Sequence, residues 1–302
     1  MINQEHPLIF THIPKTGGMS IFANMCRHFG VRIADMYNIS ALRPDPIELE
    51  TLLNNEQLCV YAGHFPYGLH QWLSRPAYYM AFVRHPIKRV FSLYHYSLPY
   101  RDILRELCQQ TGRSRQELFT RGEAVDFYQD FTPWFESEAT LSRFLSCTSP
   151  ELENGMVRRF SGVGLRAAPC TREDLQLAKD NIAEHYAFVG IQERFSESAA
   201  LFRMTFRLNF REYHVNQGNT DKRKQHKLTI PLKRRIKELN QFDLELYDWI
   251  IARFEQQQEN PPTAATLPGG RRTDFDQVGL WHAVGESPVR KATMEFDPRK
   301  AN

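Results

Sequence analysis

The sequence contains no CxxC pair and no Cys/His spacing suited to a metal ion; Cys26, Cys59, Cys108, Cys147 and Cys170 stand far apart and are odd in number. A disulfide framework or zinc site is not expected, and the cysteines are predicted to be reduced thiols in a reducing compartment. No apolar run approaches the ~18 residues of a membrane helix, and the opening MINQEHP lacks the basic-then-apolar pattern of a signal segment. The expectation is a soluble, cytoplasmic protein with no membrane partner. Neither sign of charge is in excess: Lys+Arg 38 against Asp+Glu 35 leaves +3, too even to argue for a nucleic acid partner. Internal repeats and low-complexity tracts are absent as well. What the chain does have is apolar content, with 302 residues of which 42% are hydrophobic and 12% aromatic. That suffices to bury a full core in one large α/β domain or two small ones.

Strand and helix signals alternate along much of the chain. Leu8 to Ile13 is apolar and β-prone, PKTGG punctuates it, and Ile21, Phe22, Met25 and Phe29 recur at helical spacing before Gly30. Leu58 to His64 and Ala77 to Arg84 read as further strands, and Pro86 opens a helix carrying Val90, Phe91, Leu93 and Tyr94. From Ile103 to Phe160 there is helical periodicity and no strand signal, which predicts a helical middle segment. Thr171 to Asp174 resembles a capping box before a helix to Tyr186. A strand at 187–191 and a helix from Ser196 to Leu208 follow. Pro231 begins a last helical stretch broken near Asn240 and running to Gln256, with Leu239, Phe242, Leu246, Trp249, Ile250 and Phe254 as its apolar stripe. The composition then shifts to PPTAATLPGGRR. Residues 1–258 are thus expected to form one domain, and 259–302 a Pro/Gly-rich tail or an arm packed on it through Trp281.

The stretch FTHIPKTGGMS, residues 10 to 20, places a glycine loop between a strand and a helix. Such a turn points several backbone N–H groups and a helix dipole at one spot, which suits an anionic cluster of oxygens. Gly17 and Gly18 permit close approach, Thr16 and Ser20 add hydroxyls, and Lys15 adds a point charge. Yet the lysine precedes the glycines. Aligning Gly18-Met19-Ser20 with the end of the nucleotide loop GxxxxGK[ST] puts Met19 where the lysine should be. An ATP-dependent kinase or NTPase is therefore disfavoured. A donor whose transferred group carries less charge than a phosphoryl, such as a sulfuryl, would manage without magnesium, so no metal is expected.

THIPKTGGMS resembles the 5′-phosphosulfate loop of sulfotransferases that use 3′-phosphoadenosine 5′-phosphosulfate (PAPS), in the carbohydrate-type branch. FVRHPIKRVFSLYHY, residues 82 to 96, is similar to the same family's 3′-phosphate segment, with Arg84 ending a strand and Ser92 in the next helix. Independently of the family, a strand-end guanidinium is a forked donor suited to phosphate. Weaker likenesses at NGMVRRFSG, FVGIQERFSES and NQFDLELYDWI extend the resemblance over residues 6 to 256. It implies a P-loop-like α/β fold with a mostly parallel sheet flanked by helices. It also implies PAPS as donor, 3′,5′-ADP as product, and a carbohydrate or other small-molecule hydroxyl as acceptor. Donor-binding positions would be Lys15, Thr16, Gly17, Gly18, Met19, Ser20, Arg84, Ser92 and Arg158.

Sulfuryl transfer needs a base for the acceptor proton and positive charge on the leaving phosphate. Lys15 is placed to supply the charge. For the base, His64 in YAGHF ends the second predicted strand, on the same edge of a parallel sheet as the loop. Heparan sulfate 2-O-sulfotransferase-like members carry their base histidine in a similar G-H pair. His12 beside the loop and Glu56 are the other candidates, and His85 receives no role. The basic segment NQGNTDKRKQHK, residues 216 to 227, reads as a solvated loop, a flap over the nucleotide or a site for an anionic acceptor. A kinase on the same fold and a noncatalytic PAP- or polyanion-binding protein are the competing readings.

Overall fold

The computed structural model describes residues 2–37, 46–114, 117–118, 130–164, 168–208 and 227–260. Five strands form one sheet: β1 (Leu8–Thr11), β2 (Ile33–Asp35), β3 (Val60–Gly63), β4 (Tyr78–Val83) and β5 (Tyr186–Ile191). Their order is β2-β3-β1-β4-β5 and every pairing is parallel. The α/β class and parallel sheet expected from the alternating pattern are therefore present. The strands LIFT, VYAG, YYMAFV and YAFVGI are buried at every position. Continuous burial rather than alternation is what a parallel sheet covered on both faces requires. Each large apolar side chain enclosed there contributes about 1.5–3 kcal/mol.

Strand β1 lies between β3 and β4, and Leu8 pairs with both Val60 and Tyr78. After β1 the chain passes through helix α1 (Gly18–Phe29) to the far edge at β2, returns to β3, then crosses to β4 on the other side. Chain direction across the sheet thus reverses around β1. The carboxyl ends of β1, β3 and β4 meet at that reversal, which is where parallel α/β sheets place their ligands.

Strand β2 and helix α2 (Pro46–Leu53) have no counterpart in the sequence pattern, which predicts nothing between Gly30 and Leu58. A three-residue edge strand is too short to show a period. It forms because its backbone can extend the β3 ladder, with Ile33 opposite Val60. Helix α3 (Pro86–Thr111) begins with proline in its first turn and stops at Gly112, whose φ of 66° ends the helix in the left-handed region.

The described residues of the middle segment form helices joined by turns, and no strand occurs among them. Single turns at Thr132–Phe135 and Leu141–Phe144 precede helix α4 (Gly155–Ser161). Phe131, Trp134, Phe135 and Phe144 join Val90, Leu93 and Tyr94 of α3 in a second apolar cluster, separate from the one under the sheet. Helix α5 (Arg172–His185) carries the predicted capping box, with Thr171 and Asp174 each accepting from the other's backbone N–H.

Helix α6 (Phe195–Phe206) follows β5, and α7 (Ile230–Leu239) meets α8 (Gln241–Glu259) at Asn240. That break has a specific cause. Asn154 Oδ1 accepts from the N–H groups of Phe242 and Asp243 at the start of α8, while Asp243 accepts from Met156 and Val157 at the start of α4. Two helix N-termini are capped reciprocally. Leu246, Ile250 and Phe254 are buried as the stripe predicted, whereas Phe242 and Trp249 are partly covered. No helix among the described residues is long and apolar enough to cross a membrane. The predicted tail, apart from Glu259 and Asn260, and the basic segment, apart from Lys227, lie outside the described residues.

Candidate active site

The loop after β1 is bent by two left-handed residues, Lys15 at φ 72° and Gly17 at φ 86°. Gly17 is the N-cap of α1, and that helix has no acidic residue in its first turn to offset its dipole. Thr16 spends its hydroxyl on the loop itself, donating to the Ile13 carbonyl at 2.8 Å. The Ser20 N–H donates back to Gly17 O at 3.2 Å. Gly18 is required by a close approach: a Cβ there would lie 2.0 Å from the His12 ring. Met19, where an ATP loop has its lysine, packs instead against the main apolar core. The loop is a backbone concavity at a helix N-terminus, able to hold an anionic group.

Lys15 is held from the second motif at both ends. Arg84 Nη1 donates to the Lys15 carbonyl at 3.2 Å, and the Lys15 ammonium lies over the Tyr96 ring, 3.6 Å from its centroid. The two signature segments are therefore in contact. Ser92 is on the same helix as Tyr96 and is half-buried.

His64 follows β3 and faces this loop. Its Nδ1 lies 2.8 Å from the His12 carbonyl oxygen. A carbonyl can only accept, so Nδ1 carries the proton and Nε2 of the neutral ring is the acceptor. Burial lowers the His64 pKa to about 4; the His12 carbonyl bond opposes this, and the positive charges of Arg159 and Lys15 reinforce it. The ring is thus neutral at pH 7, with its accepting nitrogen defined.

His12 is engaged on every side. Its Nδ1 shares a 2.8 Å hydrogen bond with the Tyr37 hydroxyl, and its ring stacks on Phe10 and packs under Gly18. Burial, then the neighbouring His64, hold its pKa well below the ordinary histidine value. The two histidine rings are 4.6 Å apart. Glu56 is not brought to this place: it precedes β3, at the opposite end of the strand from His64, and is exposed. His85 caps α3, accepting from the Ile87 N–H, and donates its own N–H to Glu193.

Arg158 is buried in α4, with Nε on the Glu153 carbonyl, Nη2 on the Ala168 carbonyl, and an ion pair to the Glu153 carboxylate. These bonds direct it inward. The neighbouring Arg159 is the one whose charge reaches His64. It pairs with Glu151, which also faces Arg89, and these opposite charges hold the Glu151 carboxyl below its usual range against the effect of burial. Sequence reasoning missed Tyr37, Tyr96, Arg159 and Gln192, whose Cγ would stand 3.2 Å from a Cβ at Gly17. Tyr96 lies inside the second motif, but nothing in the spacing pairs it with Lys15. All five cysteines are free thiols. Among the described residues no group of three or more His, Cys, Asp or Glu side chains is arranged to hold a metal ion.

Comparison with known proteins agrees with the motifs. A model described as the sulfotransferase family matches residues 1–249. Among curated proteins the chain is similar to heparan-sulfate 6-O-sulfotransferase 1-B of Danio rerio, with 25% identity over 292 residues, spanning 85% of this chain and 68% of that protein. It is also similar to heparan-sulfate 6-O-sulfotransferase 2 of Danio rerio, with 33% identity over 127 residues, spanning 40% of this chain and 27% of that protein. Both relatives carry the 6-O name, whereas the Gly63-His64 pair resembles the 2-O branch. The two agree at the level of the family and not of the branch.

Proposed function

The chain belongs to the sulfotransferase family, and on that premise we propose that it transfers a sulfuryl group from PAPS to a carbohydrate hydroxyl, with His64 as the base. The donor supplies a sulfur already bonded to a good phosphate leaving group. The loop from Lys15 to Ser20 would hold its 5′-phosphosulfate, and Arg84 with Ser92 its 3′-phosphate. The acceptor oxygen bonds to sulfur as the bond from sulfur to the bridging phosphate oxygen breaks. The electron pair leaves with 3′,5′-ADP, and the acceptor proton passes to His64 Nε2. Lys15 and the α1 N-terminus offset the charge growing on the phosphate. No covalent enzyme intermediate is needed.

One observation carries the choice of base: the His12 carbonyl fixes the His64 tautomer so that Nε2 accepts. A pKa of about 4 describes a weak base, but an anionic donor alongside favours the charged ring and raises its proton affinity during the reaction. A carbohydrate acceptor is favoured by the relatives, both named for heparan sulfate.

The test is transfer from PAPS labelled in the sulfate to a panel of polysaccharides, simple sugars, phenols and steroids. Activity on a polysaccharide is expected, with His64→Ala lowering kcat by about 10²–10⁴. Full activity in His64→Ala would move the base elsewhere. Phosphoryl transfer from magnesium ATP would replace this reading with a kinase. Tight 3′,5′-ADP binding without any transfer would leave a binding protein.

A further inference from the structure

Lys15 occupies an unusual position for a residue with a long flexible side chain. Its φ of 72° is in the left-handed region, which a non-glycine residue keeps only where its surroundings over-determine it. Arg84 holds its carbonyl. Its other end, the ammonium, is seated on the Tyr96 ring at 3.6 Å from the centroid, well inside the reach of a cation–π contact. Tyr96 is 57% exposed, so burial in a core does not account for where its ring lies. It sits on α3, the helix that begins at Pro86, two residues after Arg84. An ammonium resting on a ring face can still donate sideways to an anion, so the contact need not be given up when a ligand arrives.

We propose that Tyr96 is a positioning residue that confines the Lys15 ammonium to the anion-binding loop through the face of its ring. This rests on the reading above that the loop receives the donor phosphosulfate. The second signature segment then does more than offer Arg84 and Ser92 to the donor, because it also sets the backbone and the charge of the first segment's lysine. Lysine carries large rotamer entropy, and a side chain confined beforehand loses less of it on binding. The chemistry of the contact is specific, since it requires an aromatic face and neither the hydroxyl nor mere bulk.

The test uses the full chain with Tyr96→Phe and Tyr96→Leu, 3′,5′-ADP as the probe, and the acylation rate of Lys15 by an amine reagent, followed by peptide mass spectrometry without ligand. An exposed cation–π contact corresponds to about a two- to fivefold change in an equilibrium. Tyr96→Leu is expected to speed Lys15 acylation and to weaken 3′,5′-ADP binding by that factor, while Tyr96→Phe matches the unmodified chain in both. In a Lys15→Met background Tyr96→Leu should cause no further loss of 3′,5′-ADP affinity. Equal behaviour of the Phe and Leu variants would overturn the proposal, because it would assign the effect to the hydroxyl. An undiminished loss in the Lys15→Met background would also overturn it, because Tyr96 would then touch the nucleotide directly. Should the unmodified chain fail to bind 3′,5′-ADP, the donor reading falls, and the acylation comparison alone decides the Tyr96 contact.

Discussion

A single methyl group added at Gly18 tests how the loop, His12 and His64 depend on one another. The Cβ of Gly18→Ala would lie 2.0 Å from both Cδ2 and Nε2 of His12, far inside the 3.4 Å at which ordinary contact begins. His12 has little room to retreat, because its ring is stacked on Phe10, bonded to Tyr37 and set against His64. Overpacking of this kind costs about 1–3 kcal/mol. For a chain of this size each kcal/mol lowers Tm by roughly 1.5 °C, so thermal unfolding should begin about 2–5 °C earlier. The functional loss should be larger than the stability loss. The His12 backbone supplies the carbonyl that orients His64, and a misplacement of about 1 Å at a reacting group can cost about 10²-fold in rate. Gly30→Ala is the control: its φ of 55° carries backbone strain, but no atom lies within 4 Å of the new Cβ. Gly30→Ala is expected to lose stability and keep kcat, whereas Gly18→Ala loses both. Wild-type Tm and transfer rate in Gly18→Ala would refute the coupling of loop and base.

Three further outcomes are expected. The kcat/KM for the donor, which reports the donor-free enzyme, should stay level through the range where a solvent-exposed histidine titrates and fall only as pH drops toward about 4, because the proposed base His64 must be neutral; a limb near 6.5 would contradict this environment. Stability should decline over the same acidic interval. His70 is buried, bonded to the Tyr79 hydroxyl, and lowered to about 4 by burial and by His185, so between 6.5 and about 4 the unfolded chain binds the proton that the folded chain refuses. That linkage, up to about 3 kcal/mol, is fully present above pH 6.5 and lost as pH falls, and His70→Gln should flatten denaturant-derived stability by one proton's worth of slope. Asp243→Ala should lower unfolding free energy by about 3–5 kcal/mol, because it leaves Arg89 buried beside one fewer carboxylate and uncaps α4; a loss below about 1 kcal/mol measured by urea unfolding would show that the reciprocal cap is dispensable.

Four of the five strands were legible because a parallel strand buried on both faces is predominantly apolar rather than alternating, and Leu8–Thr11, Val60–Gly63, Tyr78–Val83 and Tyr186–Ile191 follow that pattern. The capping box at Thr171 was legible because local chemistry decides it, whereas the break at Asn240 could be placed from the sequence but the reciprocal cap of Asn154 and Asp243 that holds it comes from tertiary contact. Strand β2 was not, because its three residues extend only where β3 offers a ladder. In the site, the loop from Lys15 to Ser20 between β1 and α1 could be placed from spacing, since two glycines separate an apolar strand from a helical periodicity. Arg158 could not be judged in that way: whether an arginine faces a ligand or Glu153 depends on what packs around it.

The order of residues by itself determined the α/β class, the position of the glycine loop between β1 and α1, and the lysine that precedes its glycines. These follow from properties of short segments: apolar continuity, glycine's backbone freedom and the direction of a helix dipole. Only the tertiary structure fixed the His64 tautomer, with Nδ1 donating and Nε2 left to accept, because the carbonyl that sets it lies in a different strand-end loop. It also joined the two motifs through Arg84 and Tyr96 on Lys15. The sheet order, with β1 between β3 and β4, brings the ends of distant segments to one edge, and no local pattern encodes that adjacency.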